Sequence, residues 1–397
     1  MTPRIMTVYG TRPEAIKVAP VIKALEASAM ESVTVVTGQH REMLDQVNQI
    51  FGITPDRDLD VFAPGQALNA LMAKVFGRLD PVLDEVRPDA LVVQGDTSTV
   101  AAASVAAFYR QIPVVHLEAG LRSGNIHSPF PEEANRKLTS QVASLHLAPT
   151  SRSKENLVRE SVAPATIAVT GNTVIDALLH TVEQHVEIAD PHLAAAVEDE
   201  RPILLVTAHR RENWGGAMEG VGRALRRLAR RFPDYLVVLP AHRNPVVREA
   251  ILPALAGLDN VLTTEPLPYG EFTRVLGAAR IVLTDSGGVQ EEAPSLGKPV
   301  LVMRENTERP EAVDAGTVHL IGTDEERIVS AVTALATDDE IYDTMANAVN
   351  PYGDGHAAAR TVAAIEQLLG LGSRLPDFDA ATADEPVRRS LAAAGAR

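Results

Sequence analysis

Short apolar runs alternate with longer stretches of helical period along most of this chain. Runs at residues 5–9, 33–37, 90–93, 114–117 and 145–148 are mostly β-branched or aliphatic, the composition of strands covered on both faces. Between them, apolar positions recur at helical spacing, as in Ile16, Pro20, Val21 and Leu25, then Met43, Val47 and Ile50. Longer helices are predicted over 67–86, over an Ala-rich 99–109 and over 132–142. Strand–helix alternation of this kind predicts a parallel sheet wound with helices on both faces. The short run 167–169 and the Gly171-Asn172-Thr173 after it mark a boundary. The pattern then restarts, with strands at 203–207, 236–239, 261–263, 281–284 and 300–303. Helical period returns at 358–369, where Val362, Ile365 and Leu369 share a face. From Gly370 onward Gly, Pro, Asp and Ala follow no period, and residues 373–397 are expected to be a mobile tail.

In open α/β sheets, ligands sit beyond the carboxyl ends of the strands. Polar residues cluster there in this chain: Thr11-Arg12, Asp96-Thr97, Glu118, His209-Arg210, His242-Arg243 and Asp285-Ser286. Two such edges facing across a cleft would make one site between domains. Residues 279–311 read as strand, glycine turn, helix, strand and polar loop. Small residues opening a helix at Ser286-Gly287-Gly288 leave several N–H groups unpaired at the positive end of the helix dipole, which suits a phosphate.

Composition narrows the classes. A length of 397 residues suits two domains. The net charge of −15 argues against nonspecific binding to a nucleic-acid backbone, and 4% aromatics argues against base-stacking platforms. The chain has no Cys, hence no disulfide and no thiolate nucleophile or metal ligand. No His or carboxylate spacing suits a metal, so none is expected. No apolar run approaches the roughly 20 residues of a membrane span, and a strand follows Met1 within a few residues, so a cytoplasmic protein without a signal peptide is expected.

The candidates divide by chemistry. Arg12 and Lys17 lie near the start of one helix, where they are either solvated bases or part of an anion site; the turn before them is neither a Walker loop nor a dinucleotide fingerprint. Asp96 could cap the helix after it, whereas Glu118 is the weaker cap. Glu132 and Glu133 open a helix, where acids favour the dipole in any case. His209 stands at a strand tip beside Arg210, and His242 is a weaker copy. Glu292, a turn beyond the phosphate candidates, would suit ribose hydroxyls; Arg304 and Arg309 can both reach that loop. Several carboxylates and a histidine at strand tips can divide acid and base roles.

With these residues in view, the chain closely resembles the bacterial non-hydrolysing UDP-N-acetylglucosamine 2-epimerases from about residue 4 to 370. The resemblance is carried by residues 10–17, 39–46, 95–97, 118–122, 131–136, 171–176, 209–212 and 284–313 taken together. It implies a GT-B-like pair of Rossmann-like domains, at 1–168 and 169–352, facing across a cleft, with the helix in 353–372 packing back on the first. It implies reversible conversion of UDP-GlcNAc to UDP-ManNAc without NAD or metal, by elimination of UDP to a glycal and re-addition. Asp96, Glu118 and Glu132 would be the acid–base set, with His209 near the diphosphate. Arg12, Lys17, Phe272, Ser286, Gly287, Gly288, Glu292 and Arg309 would contact the nucleotide. The resemblance also implies a homodimer in a cell-surface polysaccharide pathway, regulated by the nucleotide-sugar, with Gln39, His40, Gln46, Arg210 and His242 as candidate regulatory contacts. Leu267 stands where family members often carry a uracil-touching Gln, Glu42 where some carry Gln, and Ala208 where Gly is usual. The rival readings are a GT-B glycosyltransferase, a 2-epimerase acting on a UDP-2,3-diacetamido uronic acid sugar, a hydrolysing epimerase, and a catalytically silent nucleotide-sugar sensor.

Overall fold

The computed structural model describes residues 2–38, 41–63, 65–210 and 213–381. It divides into two compact units, the first built from Met1–Ala177 with Tyr352–Ala383 and the second containing Leu178–Pro351.

The first unit is a seven-stranded parallel sheet: β1 (Arg4–Tyr9), β2 (Glu31–Val36), β3 (Arg57–Asp58), β4 (Ala90–Gln94), β5 (Val114–Leu117), β6 (Leu145–Ala148) and β7 (Ile167–Val169). Their spatial order is β3-β2-β1-β4-β5-β6-β7. The chain therefore starts mid-sheet, winds to one edge, and returns to build the other. The reversal falls between β1 and β4, which pair directly from Ile5↔Ala90 to Val8↔Val93. All five β4 residues are buried, as its unbroken apolar run requires of a strand covered on both faces. Met6, Val8, Leu91 and Val93 pack with Val75, Leu79 and Leu83 of the helix Leu68–Val86, and with Ala102, Ala103 and Ala106 of Ser98–Tyr109. Alanine on the latter helix lets it lie close to its neighbours.

The second unit repeats the design with β8 (Ile203–Thr207), β9 (Leu236–Pro240), β10 (Val261–Thr264), β11 (Ala279–Thr284), β12 (Val300–Val302) and β13 (Val318–Leu320). The order β10-β9-β8-β11-β12-β13 puts the reversal between β8 and β11. Val206, Leu239, Leu283 and Leu301 pack with Val221, Leu225 and Leu228 of Gly216–Arg231 and with Ile328 and Val332 of Glu325–Thr337. Two parallel sheets with alternating helices make the chain the α/β protein that its periodicity predicts.

The division between units falls after Ala177, beyond the boundary expected at 168. β7 is the edge strand of the first sheet, and the Asn172 N–H donates to Tyr352 O at 2.6 Å, which keeps 169–177 with the first unit. The last helix, Ala357–Leu368, lies in the first unit and contacts the helix Arg12–Glu26. Its first N–H groups, at Ala357 and Ala358, donate to Asp176 at 3.2 and 2.8 Å. Residues 373–381, expected as part of the mobile tail, are anchored. Arg374 donates to Ile167 O at 2.8 Å, Asp377 pairs with Lys154 at 2.7 Å, and Phe378 is buried with its N–H on Val169 O. Residues 382–397 lie outside the described residues. Among the described residues no helix is long and apolar enough to cross a membrane.

Candidate active site

Each sheet collects polar side chains at the carboxyl end of its reversal point, where a doubly wound sheet leaves a crevice. In the first unit, the turn after β1 opens the helix Arg12–Glu26 through a capping box between Thr11 and Glu14. The Glu14 carboxylate is 2% exposed and accepts the N–H groups of Gly10 and Thr11 at 2.7 and 2.8 Å. Its other oxygen accepts Thr97 Oγ1 at 2.5 Å, so one carboxylate fastens the β1 turn to the β4 turn. Burial pushes the Glu14 pKa up, against these hydrogen bonds. The fastening sets Arg12 and Asp96 in place.

Asp96 does not cap the helix after it; Thr97 does, accepting the Val100 N–H at 3.3 Å. The Asp96 carboxylate instead pairs with Arg136 at 2.6 Å, and its carbonyl accepts Asn135 Nδ2 at 2.8 Å. Arg136 also pairs at 3.0 Å with Glu133, whose side chain is fully buried and accepts the N–H groups of Ser123 and Gly124. Of the two adjacent acids, Glu133 therefore organises the loop, and Glu132 is the half-exposed first residue of the helix Glu132–Val142. Among the described residues Glu132 has no ion-pair partner.

Glu118 follows β5 directly with φ at +60°, a left-handed conformation rare for a residue with a side chain. Its carboxylate forms an ion pair with Lys17 and accepts Gln94 Nε2 at 2.6 Å and Asn172 Nδ2 at 3.1 Å. Two residues earlier, the buried His116 bonds through Nε2 to Gly95 O at 2.8 Å, bracing the turn that carries Asp96. Burial drives the His116 pKa down to about 3, aided by His146 and Arg122, so the imidazole is neutral and donates this bond.

In the second unit, β8 and β11 run side by side, so His209 and Asp285 emerge together. Asp285 is fully buried and accepts His209 Nδ1 at 2.9 Å, the N–H groups of His209 and Arg210 at 2.9 Å each, and Asn213 Nδ2 at 3.3 Å. Burial pushes the Asp285 pKa up, but its bonds to His209 and to the backbone outweigh that and hold it below the ordinary carboxylate range. Because Nδ1 carries the hydrogen given to Asp285, Nε2 is left to face away from it. His242 is exposed, its ring 6.1 Å from that of His209.

Ser286 is the N-cap of the helix Gly287–Ser295 and its side chain makes no cap bond, so the first N–H groups of that helix point outward. A Cβ on Gly287 would lie 2.6 Å from Arg309 Nη1 and 3.3 Å from Arg210 Nη2, which places both guanidinium groups against the turn. Arg309 is held there by Glu291 at 2.6 Å and Glu308 at 2.8 Å, and Arg304 pairs with Glu308 at 2.7 Å. Two arginines draw the Glu308 pKa to about 2 although burial raises it. Glu291 lies past the first turn of that helix and pairs with Arg309. Glu292 accepts Tyr269 OH at 2.9 Å, on the helix Tyr269–Ala278 that also carries the half-buried Phe272. Gly288 lies within reach of Glu292.

Arg12, Lys17, Asp96, Glu118 and Glu132 thus lie on the first unit, where Lys17 and Glu118 meet, and His209, Arg210, His242, Phe272, Ser286, Gly287, Gly288, Glu292 and Arg309 lie on the second, where Arg210 and Arg309 meet the Gly287 turn. Gln46 is exposed on the helix Arg41–Ile50, and Gln39 and His40 lie outside the described residues. Among the described residues no three His, Asp or Glu side chains are grouped to hold a metal ion. Sequence reasoning missed Asp285, Gln94, Asn172, Arg136 and Glu14 as partners of the candidate groups. Of these, Glu14 was signalled locally by Thr-x-x-Glu at a helix start, and Asp285 only as a polar residue at a strand tip.

Two parallel doubly wound sheets, with catalytic-type groups at the reversal of each, define a two-unit α/β enzyme. The family model described as UDP-N-acetylglucosamine 2-epimerase matches residues 23–366. The UDP-N-acetylglucosamine 2-epimerase of Yersinia pestis is 50% identical over 371 residues, covering 91% of this chain and 98% of that protein. The UDP-GlcNAc 2-epimerase of Neisseria meningitidis, solved bound to UDP-GlcNAc, superposes with a TM-score of 0.83 at 46% identity, covering 92% of this chain and 100% of that one. That of Methanocaldococcus jannaschii, in complex with UDP-GlcNAc and UDP, gives 0.75 at 31% identity, covering 93% and 100%. The chain belongs to the UDP-N-acetylglucosamine 2-epimerase family.

Proposed function

We propose that this enzyme interconverts UDP-GlcNAc and UDP-ManNAc by eliminating UDP and adding it back. The C2 proton is not flanked by a carbonyl, so it is too weakly acidic to leave first. Departure of the diphosphate runs ahead: the C1–O bond breaks with its electron pair going to UDP, and oxocarbenium character builds at C1. A carboxylate then takes the C2 proton, and the C–H pair becomes the C1=C2 bond of a glycal. In the return, UDP oxygen re-forms the bond to C1 while a proton is delivered to the opposite face of C2.

The groups required are those present. In the second unit, the outward N–H groups of the Ser286 turn, with Arg309 and His209, hold the diphosphate as leaving group and as returning nucleophile. Glu292, on the same helix, suits the ribose. Arg12 and Lys17 add positive charge in the first unit, and Asp96, Glu118 and Glu132 move the proton. The observation that carries this reading is Glu118: a carboxylate on a left-handed strand tip, 9% exposed, held at once by Lys17, Gln94 and Asn172. A residue built only to cap or to solvate does not need three partners and a strained backbone.

Incubation with UDP-GlcNAc in deuterated water tests the proposal. Deuterium is expected at C2 of both nucleotide sugars, with UDP-ManNAc accumulating as the minor species. Turnover without C2 exchange, or UDP release that needs an acceptor, would remove the epimerase reading in favour of group transfer.

A further inference from the structure

The Gly171-Asn172-Thr173 segment stands out in the sequence as a boundary, and no step of the reaction uses it. Asn172 is 3% exposed, and three of its hydrogen bonds differ in kind. Its Oδ1 accepts the Val174 N–H at 3.2 Å. Since a backbone donor requires oxygen there, Nδ2 is the end that reaches Glu118 Oε1, at 3.1 Å. Its main-chain N–H donates to Tyr352 O at 2.6 Å. Tyr352 is where the chain re-enters the first unit after building the second, and Asn172 lies five residues before the chain leaves it at Ala177. Close backbone contact seals this crossing: a Cβ on Gly171 would lie 3.3 Å from Gly353 Cα, and one on Gly353 would lie 3.2 Å from Ile175.

We propose that Asn172 is a positioning residue for Glu118, and that it ties the orientation of that carboxylate to the chain crossing at Tyr352. The proposal rests on the reading of Glu118 as an acid–base group. Lys17 and Asn172 share one oxygen of the carboxylate and Gln94 takes the other, so the group is fixed about its last torsion. Lys17 is carried by a flexible stem and Gln94 by the central strand next to β5. Asn172 is bonded directly to the returning chain, through its main-chain N–H on Tyr352 O.

Two variants separate positioning from folding. Asn172→Ala removes the donor to Glu118 and the acceptor for Val174. Asn172→Asp keeps the acceptor but sets a negative oxygen against Glu118. Epimerisation would be followed by C2 deuterium exchange in the full-length enzyme, alongside Glu118→Gln and the double variant Asn172→Ala/Glu118→Gln. Asn172→Ala is expected to lower kcat about 10- to 50-fold with KM within about threefold. The double variant is expected to be no slower than Glu118→Gln alone, because the two residues act as one unit. Asn172→Asp should move the acid limb of the kcat/KM profile upward by about one pH unit. Wild-type turnover in Asn172→Ala, a fully multiplicative loss in the double variant, or an unmoved profile in Asn172→Asp would each overturn the proposal. If Asn172→Ala does not fold, the Asn172→Asp profile decides alone. Glu118→Gln turning over at near the wild-type rate would instead remove Glu118 from the chemistry, and that result is read without any change at Asn172.

Discussion

Asp285 gathers four donors onto one fully buried carboxylate at the tip of β11: the His209 ring, two backbone N–H groups and the Asn213 amide. In Asp285→Asn, an NH2 group replaces one of the oxygens and meets donors instead of receiving them. The His209 N–H also loses its charged acceptor. A buried donor left unsatisfied costs about 1–3 kcal/mol, more next to a charged partner. Urea unfolding is therefore expected to show a loss of about 2–3 kcal/mol, with UDP affinity down about tenfold; a variant as stable as the parent would show that Asp285 does not organise this tip. Asp285 was visible in the sequence as strand-tip polarity, as were Asp96, Glu118, His209 and Ser286, because polar residues directly after an apolar run stand out. The partnerships were not visible. Gln94 reaches Glu118 across 24 positions, Asn172 across 54, and Asp285 reaches His209 across 76. Which strands lie side by side decides these pairs, and a single sequence does not give that order.

At the scale of elements, the turn from β11 into Gly287–Ser295 has one purpose that a side chain would spoil. A Cβ on Gly287 would lie 2.6 Å from Arg309 Nη1, and that guanidinium is tethered by Glu291 and Glu308 and cannot move off freely. Gly287→Ala should displace Arg309 and crowd the first helical N–H groups. UDP affinity measured by calorimetric titration is expected to fall about tenfold or more, roughly 1.4 kcal/mol, while the melting temperature changes little. Unchanged affinity would mean that this turn is not the diphosphate site. The turn was legible because glycine and serine opening a helix is a local signal, and the core strands were legible because burial on both faces leaves unbroken apolar runs. Two short elements at the sheet margins were not, although the margin strand β10 was. β3 has two residues and β13 three, too short for any period to register. Residues 373–381 also looked like tail, since their anchors lie 223 positions away at Lys154 and 208 at Val169.

Over the whole molecule, buried titratable groups respond to acid with both signs. The second unit keeps Asp285 and Glu308 ionised below the ordinary carboxylate range, so both contribute stability at neutral pH that is lost only as pH falls through those low values. The first unit buries neutral histidines. Burial takes His116 down to about 3, and burial with Arg122 takes His146 down to about 4, side by side on β5 and β6. An unfolded histidine titrates near 6.5. Above that pH neither state binds the proton and the histidines are neutral in their effect. Below it the unfolded chain binds protons that the fold refuses, so stability falls with pH down to about 4. Asp176, raised to about 6 by burial, and Glu14, raised likewise, act the other way, since the folded state takes their protons first. Acid tolerance of the first unit is thus a balance, and removing one member should tilt it. His146→Leu should gain on the parent by about 1.4 kcal/mol for each pH unit between 6.5 and 4, read from urea unfolding at stepped pH. A constant offset between the two proteins would mean that His146 is protonated within the fold and that its burial carries no acid penalty.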